Sequence, residues 1–361
     1  MKFGFMKRIL LLVVLLAAGS RMEAQKTLPF IRGVYGDPQV LLRQGHSFSS
    51  LGINALFPRL GAVNGELMEA AGKEGLMVFV EFPTLNGREY LQHHPEAWPI
   101  DKNGERAEAA DWFMGICPTD PGFREDRMNI LGDLLERYRV DGLWLDYLHW
   151  HAQFETPDPI LPETCFVDRC VDLFSASCGC RVPAGDTRTK ASWILQNADR
   201  AWRKWRSGVL TEWVSDLGKI LKSRVPDALL GIYYCPWYPH EYDSALYRFL
   251  GLDLEALAGI ADVFSPMVYH KHMERSPAWV GEHVAWLGGQ SWMNDGRKPL
   301  IWPIVQAYNQ PGYISPGEFR EVMRQGASRP ASGVMMFSVN SLATEPDKIE
   351  VMRELYTREM K

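Results

Sequence analysis

One run of the chain concentrates side chains able to do chemistry: Val140-Asp141-Gly142-Leu143-Trp144-Leu145-Asp146-Tyr147-Leu148-His149-Trp150-His151. Leu143, Trp144 and Leu145 form a short apolar β-run. Asp141 and Gly142 make the turn into it, a role that needs no catalytic explanation. Asp146 closes the run among Tyr147, His149 and Trp150. Glycosidic bond cleavage uses two carboxyl groups, one protonating the leaving oxygen and the other serving as nucleophile or activating water. Aromatic rings beside them stack on the apolar CH faces of sugars. Asp146 is therefore the first candidate catalytic carboxylate, against the alternative that it only hydrogen-bonds loop backbone.

For the second carboxylate, Glu81, at the end of MVFVEFP, and Glu241, in YYCPWYPHEYD, rank equally. Glu155 and Asp243 are further options. Asp262 precedes a β-run and reads as a turn or cap. Residues suited to sugar binding recur just beyond later β-runs: Tyr234 and Trp237, then Tyr269 and His270, then Gln306 and Tyr308. Two histidine pairs at i, i+2, His149 with His151 and His270 with His272, raise a metal-dependent hydrolase or deacetylase as a rival. No acidic cluster accompanies them, so no metal ligands and no cofactor are assigned. A GxSxG elbow, a phosphate loop and a Gly-rich cofactor fingerprint are absent from the sequence.

The elements that must position these residues are short apolar runs alternating with amphipathic stretches. The alternation predicts strands over 30–35, 55–58, 77–82, 142–147, 230–235, 263–269, 301–306 and 334–338. Continuous apolar character fits strands covered on both faces. Eight repeats predict closure into a (β/α)8 barrel, with the site built from loops at the C-terminal ends of the strands. Helices are expected over 124–138 and 193–221. In the latter, Trp202, Trp205 and Trp213 recur at helical spacing and read as core. The connection 150–191 is expected to be a long functional loop. It carries Cys165, Cys170, Cys178 and Cys180, whose spacing favours local disulfides over zinc; Cys117 and Cys235 lie apart.

Residues 1–24 have the form of a signal peptide. Lys2, Lys7 and Arg8 precede the apolar run 9–18, and Ala24 is a plausible cleavage position. A retained N-terminal anchor is the alternative. Residues 25–361 are then one barrel domain, secreted, periplasmic or displayed at the cell surface, with no later membrane span. A net charge of -5 with scattered Lys and Arg gives no footprint for nucleic acid.

VDGLWLDYLHW, with the lead-in CPTDPGFREDRMNILGDLLERYR, the segment CFVDRC and the later runs SPMVYH, PIVQAY and GVMMFS, resembles bacterial glycosyl-hydrolase-like barrels over residues 31–340. The resemblance implies a (β/α)8 fold, secretion and a carbohydrate substrate, an oligo- or polysaccharide. In the chitinase-type pattern DGxDxDxE, Trp144 stands at the middle Asp and Leu148 at the acid. Chitinase-type substrate-assisted chemistry is therefore not implied. Similarity to amylase-like barrels implies that Asp146 is the nucleophile. The missing acid at Leu148 keeps a non-catalytic glycan-binding barrel open as the rival from another class.

Overall fold

Each of the apolar runs finds a parallel partner on both sides. We label the strands β1 (Ile31–Gly36), β2 (Ala55–Pro58), β3 (Met77–Pro83), β4 (Gly142–Asp146), β5 (Leu229–Tyr234), β6 (Val263–Val268), β7 (Leu300–Ile301 and Ile304–Gln306) and β8 (Gly333–Phe337). Neighbours in sequence are neighbours in space, and Ile31 of β1 pairs with Gly333 of β8 to close the barrel. The structure, a computed structural model, describes residues 28–110, 112–155, 158–293 and 299–360. The expected signal peptide, 1–24, lies outside the described residues. No helix among them is long and apolar enough to cross a membrane.

Strand limits agree with the apolar runs to within one residue, except that β7 is broken. Pro303 has no N–H for the ladder, so β6 pairs first with Leu300 and Ile301, and then with Ile304 and Val305. The barrel interior is filled in layers. Phe57, Phe79, Trp144 and Trp302 are all fully buried, and Trp144 stacks on Trp302 at 5.3 Å. The Trp144 indole Nε1–H donates to Ser265 Oγ at 2.9 Å, which satisfies its polar end. Room for these rings comes from glycine: a Cβ on Gly231 would lie 2.2 Å from Trp144 Cε2.

Side chains alternate across a strand, so residues two positions on face the same way one layer higher. Above this aromatic layer therefore come Glu81, two on from Phe79, and Asp146, two on from Trp144. Arg59, two on from Phe57, joins them by bridging to Glu81. The opposite end of the strands holds carboxylates with another task. Asp141 accepts the Val78 N–H and Asp262 the Leu230 N–H, both as turn or capping groups.

The outer helices differ from expectation in three places. Asp120 caps the helix Pro121–Arg137 by accepting the Phe123 N–H, so the helix starts three residues earlier than predicted. The predicted helix 193–221 is two, Thr187–Asn197 and Asp199–Arg224, separated at Ala198. Of its Trp stripe, Trp202 and Trp213 are fully buried core, whereas Trp205 is half-buried, stacked on Trp202 at 4.9 Å. The long connection after β4 contains a helix, Asp168–Cys178, rather than loop throughout. Its Pro157 lies outside the described residues. Of the expected local disulfides, the structure has one, Cys178–Cys180. Cys165 and Cys170 instead lie against Cys117, which sequence distance had set apart.

Candidate active site

Parallel register places Pro83 beside Asp146 and Glu81 beside Trp144, so the two carboxyl groups rise from adjacent strands at the barrel mouth. Glu81 is 4% exposed. Burial, then the charge of Asp146, pushes its carboxyl up to about 8, opposed by Arg59 and by the Leu60 N–H. Arg59 Nε also donates to Tyr35 Oη at 3.4 Å.

Asp146 is half-buried. Burial raises it to about 7; the Tyr147 N–H, donated to Asp146 Oδ1 at 2.8 Å, and Arg59 favour its charged form, while Glu155 raises it further. Glu155 is also raised to about 7 by burial, opposed by a hydrogen bond from Trp112. Glu81 and Asp146 thus share Arg59 as their nearby cation, while the charge of Glu155 also bears on Asp146. Ionisation of Asp146 therefore disfavours that of Glu81, and the two protons belong to the pair.

Asp146 and Glu155 line one narrow pocket with Trp112, Phe113, Tyr147 and His149; Tyr233 and Met267 also border it. Tyr147 has φ +53°, a left-handed conformation that costs a non-glycine residue about 1–3 kcal/mol. Its ring lies flat on Phe113, centroids 5.3 Å apart and 5° from parallel. Trp112 is 49% exposed at the pocket edge. His149 is buried, and burial holds it down at about 4, so it is neutral at pH 7. Tyr35, Phe337, Tyr269 and Tyr308 form a continuous aromatic wall at the same end, with Tyr35 on Phe337 at 5.0 Å and Phe337 to Tyr269 at 5.4 Å.

Other sequence candidates serve the scaffold. Glu241 accepts the Tyr238 N–H of its own loop at 2.6 Å and pairs with Arg275 of the loop after β6, and it is not among the pocket residues. Trp150 is fully buried, donates Nε1–H to the Arg206 carbonyl and stacks under the Arg206 guanidinium. The Tyr234 hydroxyl meets His283 at 3.2 Å, behind the barrel wall, although Tyr234 also borders the pocket. Trp237 is buried against Phe154 and Tyr242. The Gln306 side chain donates to the carbonyls of Tyr308 and Gln310 and accepts the His272 N–H, so its amide is fully used. His270 is buried and bonds Glu318 at 2.9 Å.

The histidine pairs do not converge into a metal site. His151 accepts the Gly115 N–H at Nδ1 and bonds the Glu108 carbonyl through Nε2, which occupies both ring nitrogens. His272 bonds the Glu155 carbonyl. Among the described residues, the one group of three metal-capable side chains is Cys117, Cys165 and Cys170, without a histidine.

Arg59, Tyr35 and Tyr233 were not selected from the sequence, although period-two counting along β1, β2 and β5 leads to them. Trp112 and Phe113 sit in a loop with no periodic signal, and only folding brings them to Asp146.

No family model matches the chain, and no curated protein matches it. Solved structures share its fold. The PgaB (BpsB) glycoside hydrolase domain from Bordetella bronchiseptica superposes with a TM-score of 0.67 at 16% identity, covering 92% of this chain and 100% of that one. A β-galactosidase from Halorubrum lacusprofundi gives 0.64 at 15% identity, over 91% of this chain and 58% of that one. An α-L-fucosidase isoenzyme 2 from Paenibacillus thiaminolyticus gives 0.57 at 10% identity, over 91% and 49%. This chain thus spans about half the length of those last two proteins. What the chain shares with these structures is the (β/α)8 barrel fold.

Proposed function

We propose that the protein hydrolyses glycosidic bonds in an oligo- or polysaccharide, with Asp146 as nucleophile or electrostatic stabiliser and Glu155 as the acid/base. The observation that carries this reading is that Asp146 and Glu155 are the carboxyl groups lining one aromatic pocket at the barrel mouth. Their surroundings divide the roles. Asp146 has a backbone N–H donor and Arg59 to hold its charged form, whereas Glu155 has only Trp112 against burial. The group with less support for its charge is the better proton donor at neutral pH. Glu81, lower in the barrel and raised further, keeps its proton while Asp146 ionises, and so allows the charge to sit on Asp146. Trp112, Phe113 and Tyr147 offer faces for sugar rings.

The shared fold with glycoside hydrolases supports a carbohydrate substrate by analogy of architecture. Export rests on the composition of residues 1–24 and is tested by sequencing the N-terminus of the mature protein. A glycan-binding role without catalysis is favoured by one observation: Leu148, buried and apolar, borders the pocket where the chitinase pattern has its acid.

The test is reducing-end release from a glycan panel by wild type, Asp146→Asn and Glu155→Gln. Glu155→Gln should retain activity on aryl glycosides with good leaving groups, which need no protonation, and lose it on natural linkages. Binding without turnover by wild type would replace hydrolysis with the binding reading. Turnover unaffected by Asp146→Asn would move the site elsewhere.

A further inference from the structure

Cys117 meets Cys165 and Cys170, the latter 53 residues further along the chain. Cys117 lies in the segment leading to the helix Pro121–Arg137, Cys165 in the connection after β4, and Cys170 in the helix Asp168–Cys178. All three are fully buried. The sulfurs of Cys117 and Cys170 are 3.4 Å apart, and the three lie within 4.8 Å of one another. Thr119 Oγ1 sits 3.3 Å from Cys117 Sγ and 3.1 Å from Cys170 Sγ.

We propose that Cys117, Cys165 and Cys170 bind a soft divalent cation with the chemistry of zinc, with the Thr119 hydroxyl adjoining the fourth position. Sulfurs at about 2.3 Å from a tetrahedral ion stand about 3.8 Å from each other, within the spread seen here. A disulfide needs sulfurs at about 2.05 Å and uses only two of them, leaving the third thiol buried beside it.

The surroundings suit thiolates. Ile100 N–H donates to Cys165 Sγ at 3.4 Å, and Val167 N–H also bonds that sulfur. Hydrogen bonds of this kind, from outside the ligand set, orient and stabilise metal-bound ligands. Cys170 occupies the first turn of its helix, where the helix dipole favours an anion. Three thiolates around a divalent ion leave one net negative charge. The Arg169 guanidinium faces it, donating from Nε to Thr119 Oγ1 at 3.2 Å and pairing with Asp120 at 3.1 Å. Entry of the ion releases the thiol protons to solvent and needs no oxidant. The ion would fasten the connection after β3, which carries Trp112 and Phe113, to the one after β4, which carries Glu155.

The experiment is cobalt(II) titration of the full chain purified under reductant. Expected is one equivalent of cobalt, with sulfur-to-cobalt charge-transfer absorption of three thiolates and tetrahedral ligand-field bands, bleached by zinc(II). Cys170→Ser should weaken cobalt binding more than about 100-fold, beyond the loss usual for an outer partner, whereas Cys235→Ser should leave it unchanged. If Cys170→Ser does not fold, zinc stoichiometry and a zinc-dependent rise in wild-type Tm provide the readout. A folded, fully reduced wild type with no charge-transfer band overturns the proposal. So does exported protein in which Cys117 is disulfide-linked to Cys165 or Cys170 and no metal is bound.

Discussion

Replacing Glu81 by Gln tests the electrostatics of the barrel mouth without relying on an unknown substrate. The Glu81 carboxyl goes from an ordinary 4.5 up to about 8 in the folded protein, chiefly through burial and then through the charge of Asp146. Between those values the native state holds a proton that the unfolded chain has released, so stability is fully present below about pH 4.5 and falls as pH rises towards 8. At about 1.4 kcal/mol per pH unit, the loss reaches about 4 kcal/mol by pH 8 and levels off near about 5 kcal/mol above it. Glu81 is 4% exposed, so solvent screening removes little of it. Glutamine has the same shape and no proton to lose, so Glu81→Gln should lack this loss. Denaturant unfolding of wild type and variant at intervals from about pH 5 to about pH 9 gives the difference directly, and any pH-independent cost of the amide cancels in the slope. The variant should gain on the wild type by several kcal/mol over that range. Parallel curves would refute a neutral, buried Glu81, and with it the argument that Asp146 carries the charge.

Hydrolysis by wild type should be bell-shaped in pH and centred near 7, since it requires ionised Asp146 and protonated Glu155, both raised to about 7; a flat kcat/KM profile across this range would contradict the pairing. Asp146→Asn should lower kcat by about 10³-fold or more while leaving circular dichroism and Tm near wild type. Trp112→Ala removes an exposed ring at the pocket edge, and should raise KM or weaken glycan binding by about tenfold with little change in Tm. Gly231→Ala forces a methyl to 2.2 Å from Trp144 and should cost at least about 1–3 kcal/mol in denaturant unfolding.

Much of the architecture was legible in the sequence because parallel strands covered on both faces are nearly continuous apolar runs, and the runs for β2 and β4 stand out on composition alone. Asp146 was legible for the same reason: a carboxylate at the C-terminal end of such a run falls at the barrel mouth. Local chemistry also set the break in β7, where Pro303 cannot join the ladder. The identity of the residues facing Asp146 was a different matter. Glu155 and Glu241 look alike in sequence, each an acid among aromatics in a loop. Only the folded loops separate them, placing Arg275 against Glu241 and leaving Glu155 on the pocket. Trp150 and Trp112 were equally ambiguous, because burial of a ring depends on what packs over it; the helix carrying Arg206 covers Trp150, and nothing comparable covers Trp112. The cysteine grouping was misread on spacing, since Cys117 reaches Cys170 across 53 residues. Sequence by itself determined the strands, their order and the end of the barrel where a site belongs, because these follow from periodicity and turn chemistry along the chain. Tertiary structure alone decided which side chains share that end, because proximity there is set by how separate loops pack on the rim.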